Sequence, residues 1–299
     1  MRLLCLSGSI AIFVLAPLSA AAQPISPTGP WKLSSDAESC ALQREFGEGE
    51  DTLALELRRF FPGDMRALLS SRDLRPSKSK TIRYRLNDGE EWRIGDAKYN
   101  LAAPTGGSVV FFPWAFLLPE AHNISDSTLL KEFLQRRDLA TVEKAAGARV
   151  DILTLEDAFE NPVSLEVGSL AEPIEMMNDC LDDVVSGWNI DAEVDKTLIR
   201  PAAPTEATSE WLTTFPPISD LFHQARPNDL TIRLMISASG AIEACNFYKI
   251  GGDPRAAELS CESLRRNARF EPAFNKDGRS IKSFFVYRLI DPNEKSGPE

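Results

Sequence analysis

The segment DLTIRLMISASGAIEACNFYKIGGDPRAAELSCESLRRNARFEPAFNKDGRSIKSFFVYRLI, Asp229–Ile290, decides how the chain is read. Leu230, Ile232, Leu234 and Ile236 alternate with Thr231, Arg233 and Ser237, the period-two pattern of a half-buried strand. Ser239-Gly240 supplies a turn, and Ala241–Ile250 follows as a second strand antiparallel to the first. Gly251-Gly252-Asp253-Pro254 then ends the strand and opens a helix, with Asp253 as N-cap and Pro254 in the first helical position. Ala257, Cys261, Leu264 and Ala268 recur at helical spacing, so one stripe of that helix faces the sheet. After a turn at Asp277-Gly278, Ile281–Ile290 is rich in β-branched and aromatic residues and makes a third strand.

This order of strand, strand, helix and strand resembles the C-terminal domain of the bacterial TonB family. The likeness is carried by Gly240-Ala241-Ile242 at the hairpin, Arg269-Phe270-Glu271-Pro272-Ala273 after the helix, and Gly278 before the last strand. Upstream, Trp211 and the pair Phe215-Pro216 stand where that family often has a Trp and an aromatic-Pro pair. The resemblance spans residues 211–290. It implies a module that pairs with a short peptide of an outer-membrane transporter, with Ile281 to Leu289 as the pairing strand. A strand at a sheet edge is a template for such addition. Ile281, Ser283, Phe285 and Tyr287 would then contact the partner. Arg265, Arg266 and Arg269, with Arg279 and Lys282, would form a basic rim, although cations at a helix C-terminus also serve the helix dipole. The same edge could instead pair with its twin in a homodimer.

At the other end, residues 1–22 read as a secretory signal: Arg2 is the lone charge, Leu3–Leu18 is apolar, and Ala20-Ala21-Ala22 suits a signal peptidase. Gln23 is then the mature N-terminus, and the expected location is the periplasm of a Gram-negative bacterium. An uncleaved anchor is the competing reading, and only it would place the protein at a membrane. Four cysteines remain after the signal, Cys40, Cys180, Cys245 and Cys261, and an even number in an exported chain points to disulfides. Of the three pairings, strand-to-helix proximity favours Cys245 with Cys261, leaving Cys40 with Cys180. In a strict period-two register Ile242 faces away from Cys245 and Phe247; a bulge near Glu243-Ala244 would bring all three to the helix side.

The net charge is −11, or −12 without Arg2; residues 23–225 carry −14 and the remainder +2. Such acidity argues against nucleic acid and anionic membranes as partners of the first domain. The division expected is a leader at 23–30, an α+β domain at 31–198, a linker at 199–210, the TonB-like domain at 211–292 and a tail at 293–299.

In the first domain, Leu53, Leu55 and Leu57 alternate, and Ile82–Ile94 reads as a hairpin around Asn87-Asp88-Gly89. Ser108–Trp114, Val150–Leu155 and Ser164–Val167 read as strands, and Ser127–Arg137 as a short helix. Ser169 with Glu172 makes a capping box for a helix whose stripe is Ile174, Met177, Leu181, Val184 and Trp188. The result is a mostly β domain closed by that helix. Trp31, Leu33, Cys40, Leu42 and Arg44 are similar to openings seen ahead of TonB-like tails in exported bacterial proteins.

No catalytic set emerges. His122 and His223 stand apart from any other His or Cys at ligand spacing, and no phosphate-binding or nucleophile-elbow motif occurs. Ser77-x-x-Lys80 lacks its partner motifs. The expectation is a binding protein, with no catalytic residue, metal or cofactor. It would be an exported protein of the cell envelope binding a protein or peptide. A membrane-anchored energy transducer for transmembrane transport is the second reading, and an enzyme or ligand-binding fold in the first domain is the third.

Overall fold

The computed structural model describes residues 23–49, 52–60, 65–95, 99–102, 107–112, 118, 139–208, 230–249 and 254–289. Over these residues helix and strand are mixed, with strands dominant and arranged in several small antiparallel sheets. β1 (Lys32–Ser35), β2 (Ser39–Phe46), β3 (Leu53–Phe60) and β4 (Met65–Ser71) follow one another as an antiparallel meander. The leucine alternation of β3 is its buried face, whereas Ala54, Glu56 and Arg58 are partly exposed.

β5 (Ile82–Leu86) and β6 (Arg93–Gly95) flank the expected turn, where Asn87 takes φ 70° and Gly89 φ 87°. The Asn87 side chain also fastens this hairpin to the next strand, accepting from the Asp151 N–H at 2.7 Å and donating to the Arg149 carbonyl at 2.8 Å. β7 (Tyr99–Ala102) and β8 (Ser108–Phe112) complete a six-stranded sheet of order β1-β2-β3-β4-β8-β7. After α1 (Leu139–Gly147), β9 (Ile152–Glu156) and β10 (Val163–Glu166) join the hairpin in a four-stranded sheet, β10-β9-β5-β6. Leu42, Phe46, Leu53, Leu55, Leu69, Ile82, Tyr84, Leu155 and Leu165, drawn from both sheets, share one core. Pro113, Trp114 and the helix expected at 127–137 lie outside the described residues.

α2 (Ala171–Gly187) lays Ile174, Met177, Leu181 and Val184 on that core, with Trp188 at its end. Its start departs from the expected capping box. Leu170 is the N-cap residue and makes no side-chain cap; among the described residues Ser169 Oγ accepts from the Ala171 N–H alone, at 3.4 Å. Burial explains this, because Leu170 is itself a core residue and its N–H donates to the Gly147 carbonyl at the end of α1. Packing between the two helices fixes the entry that a serine would otherwise have fixed. Cys180 on α2 is bonded to Cys40 on β2, Cα to Cα 6.3 Å. α3 (Ala192–Lys196) follows, capped by Asp191, whose side chain accepts from the Glu193 and Val194 N–H groups.

Residues 23–30, read as a flexible leader from their prolines, are bonded to both sheets. The Ile25 N–H donates to Ser164 O at 2.8 Å and the Glu166 N–H to Ile25 O at 3.0 Å, adding a short parallel pairing beside β10. The Gly47 and Thr28 N–H groups donate to Ser26 and Glu45 carbonyls, both at 3.0 Å, so the same stretch meets the end of β2. Arg44 closes the seam with bonds to the Gly29 and Val167 carbonyls at 2.8 Å each. A proline forfeits a donor but not an acceptor, which is why such a segment fits at sheet edges.

After α3 the chain runs through β11 (Ala203–Pro204), β12 (Leu230–Ile236), β13 (Ile242–Lys249), α4 (Pro254–Asn267), β14 (Phe270–Glu271), β15 (Ala273–Phe274), β16 (Ser280–Ile281) and β17 (Ser283–Leu289). The stretch read as a linker is part of this second unit. β11 pairs with β14, and the Ile199 N–H donates to the Phe274 carbonyl at 3.0 Å. Leu198 and Ala202 are buried in its core. Trp211, Phe215 and Pro216 lie outside the described residues.

Candidate interaction surface

The three-stranded sheet has the order β13-β12-β17, so β12 is central and β17 stands at one end. Its register slips once: Ile236 opposes Ile242, while Met235 opposes Ala244 and leaves Glu243 as the extra residue. That bulge puts Ile242, Cys245 and Phe247 together on the core shared by Ile232, Leu234, Ile236, Leu264 and Phe285. Cys245 is bonded there to Cys261 of α4, Cα to Cα 5.6 Å. Gly240 turns the hairpin with φ 82°, and a Cβ on it would collide with the Phe270 carbonyl, so the turn also seats β14.

The opposite face of the sheet is not solvated, contrary to the half-buried strand read from the alternation. Met235 and Phe284 belong to the core of the N-terminal sheets, and Ala244 and Val286 pack against it. Arg233 lies on this face with its side chain only 7% exposed, donating to Glu38 Oε1 at 2.8 Å. Its guanidinium sits 4.0 Å from the Trp188 ring centroid, and Trp188 meets Phe284 edge-on at 5.3 Å. The indole N–H is taken by the Ala37 carbonyl at 2.9 Å. A charge inside this junction is tolerable because a carboxylate and an aromatic face replace its water.

Ser283, Phe285 and Tyr287 share β17, in register with Ile236, Leu234 and Ile232. Phe285 is 4% exposed and meets the Phe270 ring at a tilt, centroids 5.1 Å apart, so that ring belongs to the core. Ser283 is buried and donates to Asp195 Oδ1 of α3 at 3.4 Å. Burial pushes the Asp195 carboxyl up to about 6, partly offset by that hydrogen bond. Ile281 belongs to β16, paired with β15, and is half-buried. Arg265, Arg266 and Arg269 are exposed, but two of them serve the helix: Arg266 pairs with Glu262, and Arg269 donates to the Arg266 and Ala268 carbonyls. Lys282 pairs with Glu243 at 3.2 Å.

Among the described residues no group of His, Cys, Asp and Glu could hold a metal, and no helix is long and apolar enough to cross a membrane. His122 and His223 lie outside the described residues, and Ser77 donates to the Asp157 carbonyl. Two disulfides fit an oxidising compartment outside the cytosol. The chain matches no family model, no curated protein and no solved structure.

The sequence pattern counts Trp188 in a helix stripe and Arg233 among the polar residues of a strand, and it marks neither of them, nor Glu38 nor Asp195, as part of a junction. A signal existed in Phe284-Phe285-Val286-Tyr287, a continuous apolar run that marks a strand buried on both faces.

Proposed function

We propose that this is an exported envelope protein whose C-terminal unit binds an extended peptide or partner protein by strand addition, without catalysis. The observation that supports the reading is the position of β17 at the end of an antiparallel sheet whose two faces are both packed. With the faces occupied, the strand's long edge is the surface through which backbone bonds to a peptide would supply affinity. The TonB likeness makes a segment of an outer-membrane transporter the first partner to test. The mature chain from Gln23, isotope-labelled, would be titrated with short peptides from the periplasm-facing segments of such transporters. Shifts concentrated in Ser283–Leu289 are expected. Shifts confined to other strands, or none at millimolar peptide, would overturn the assignment.

A further inference from the structure

A second strand lies at a sheet end. Among the described residues β1 closes the six-stranded sheet and pairs with β2 alone, and all four of its residues are exposed. Leu33 and Ser35, two apart and therefore on one face of the sheet, look toward α2. Between them and the helix runs a groove of about 740 Å³. Its helix wall carries Met176, Asp179, Asp183 and Val184, and Cys180, which is bonded to Cys40, lines it together with Trp188 and Arg233.

The charge of this groove is one-sided where it is open. Asp179 and Asp183 stand one helical turn apart on the same wall, both exposed, with no ion pair or hydrogen bond to their carboxylates among the described residues. Asp36, on the opposite lip, is already held by Arg58 at 3.1 Å and by the Ser39 N–H at 2.7 Å. Arg233 is spoken for by Glu38. The two aspartates are thus the carboxylates left to meet a ligand, and they are set beside an apolar strip made of Leu33, Met176 and Val184.

We infer that this groove is a peptide site: an extended segment with basic side chains adds to β1 and points alternate residues at α2. Three features favour that occupant over a compact molecule. An edge strand offers main-chain donors and acceptors in a row. A helix lies alongside at side-chain distance, so strand addition gives affinity while the helix wall selects side chains. The volume suits about four added residues, each advancing about 3.4 Å along the strand. Charge selects the sign, because Asp179 and Asp183 complement Lys or Arg and repel Glu. The site does not include β17 and takes only Arg233 from the C-terminal sheet, so it survives if the strand-addition reading of the C-terminal unit fails.

The test uses the mature full-length chain and an acetylated, amidated hexapeptide alternating Val and Lys. Binding is followed by calorimetry at low salt and by hydrogen exchange. Expected are saturable binding, slowed exchange at Lys32–Ser35, and about tenfold weaker binding in the D179N/D183N double variant. Both positions are exposed, so the melting curve of that variant serves as the folding control. Two further peptides separate strand addition from charge alone. A Val-Glu version should not bind, and a Val-Lys version N-methylated at alternate residues should lose binding although its charge is unchanged. Equal binding of the methylated peptide, no binding of the first peptide at 1 mM, or indifference to D179N/D183N would each overturn the proposal. Concentration-dependent association of the chain alone, with protection at Lys32–Ser35, would overturn it too and give the groove to a second copy.

Discussion

Replacing Arg233 by methionine tests whether the C-terminal sheet truly rests on the N-terminal core. The substitution keeps an unbranched apolar stem but deletes the guanidinium that pairs with Glu38 and lies over Trp188. Both partners of the ion pair are largely shielded, at 7% and 13% side-chain exposure, so solvent does little to dilute it. Removing one partner of such a pair strands the other charge, at a cost of about 3–5 kcal/mol. The cation–π contact contributes about 1–2 kcal/mol of the same loss. Against a total stability of about 5–15 kcal/mol that is a large fraction, visible as a fall in the urea midpoint. The companion variant Glu38→Gln, alone and combined with Arg233→Met, completes a cycle. The double variant should be more stable than the sum of the two single losses implies, by more than about 1 kcal/mol. A loss below about 1 kcal/mol for Arg233→Met, with additive behaviour in the cycle, is what an exposed pair would give. That outcome would refute the packed junction.

Two further expectations follow from the same structure. Asp195 is raised by burial to about 6, so the folded state holds its proton more tightly than the unfolded chain does. Stability tied to this group is therefore greatest below pH 4 and declines as pH rises toward 6; Asp195→Asn should flatten that slope in a pH series of melts and add on the order of 1 kcal/mol at pH 7, whereas an unchanged slope would place the carboxyl in water. The two disulfides close loops of different length, with separations of 140 and 16 residues, so the chain-entropy account assigns about 5 kcal/mol to Cys40–Cys180 and about 3 kcal/mol to Cys245–Cys261. Paired serine substitutions compared by denaturant unfolding should keep that order, and a reversed order would mean that native packing rather than loop closure dominates.

Local pattern carried much of the fold. The alternation of Leu53, Leu55 and Leu57, the Asn87-Asp88-Gly89 turn and the stripe of α2 are short-range signals, and each produced its element. The bulge at Glu243 was legible because Ile242 and Cys245 could share a face in no other way. What escaped was set by partners far along the chain. Leu170 displaced Ser169 as the cap because α1 waits across the helix entry. Prolines at 24, 27 and 30 suggest a mobile leader until the carbonyls of Ile25 and Ser26 are seen to accept bonds from Glu166 and Gly47. Arg233 looked like a solvent-facing residue since a lone charge in an alternating strand normally is one, and only the distant Glu38 and Trp188 reverse that. The β1 groove is assembled from Leu33 on one side and Asp179 and Asp183 on the other, so no window of sequence contains it.

The joint between the two units has a mechanical meaning. Lys196 is tied back to Asp182 of α2 by a 2.5 Å bond, while Leu198 is already buried in the C-terminal core. Thr197 is the residue between them, and its hydroxyl donates to the Val194 carbonyl. A tether stores slack, and there is almost none here. Tension applied along β17 would pass through its pairing with β12 and the Arg233 contacts into a core stapled at Cys40–Cys180. Along that route the described residues would answer a pull on β17 as a stiff handle, the N-terminal sheets moving with the strand.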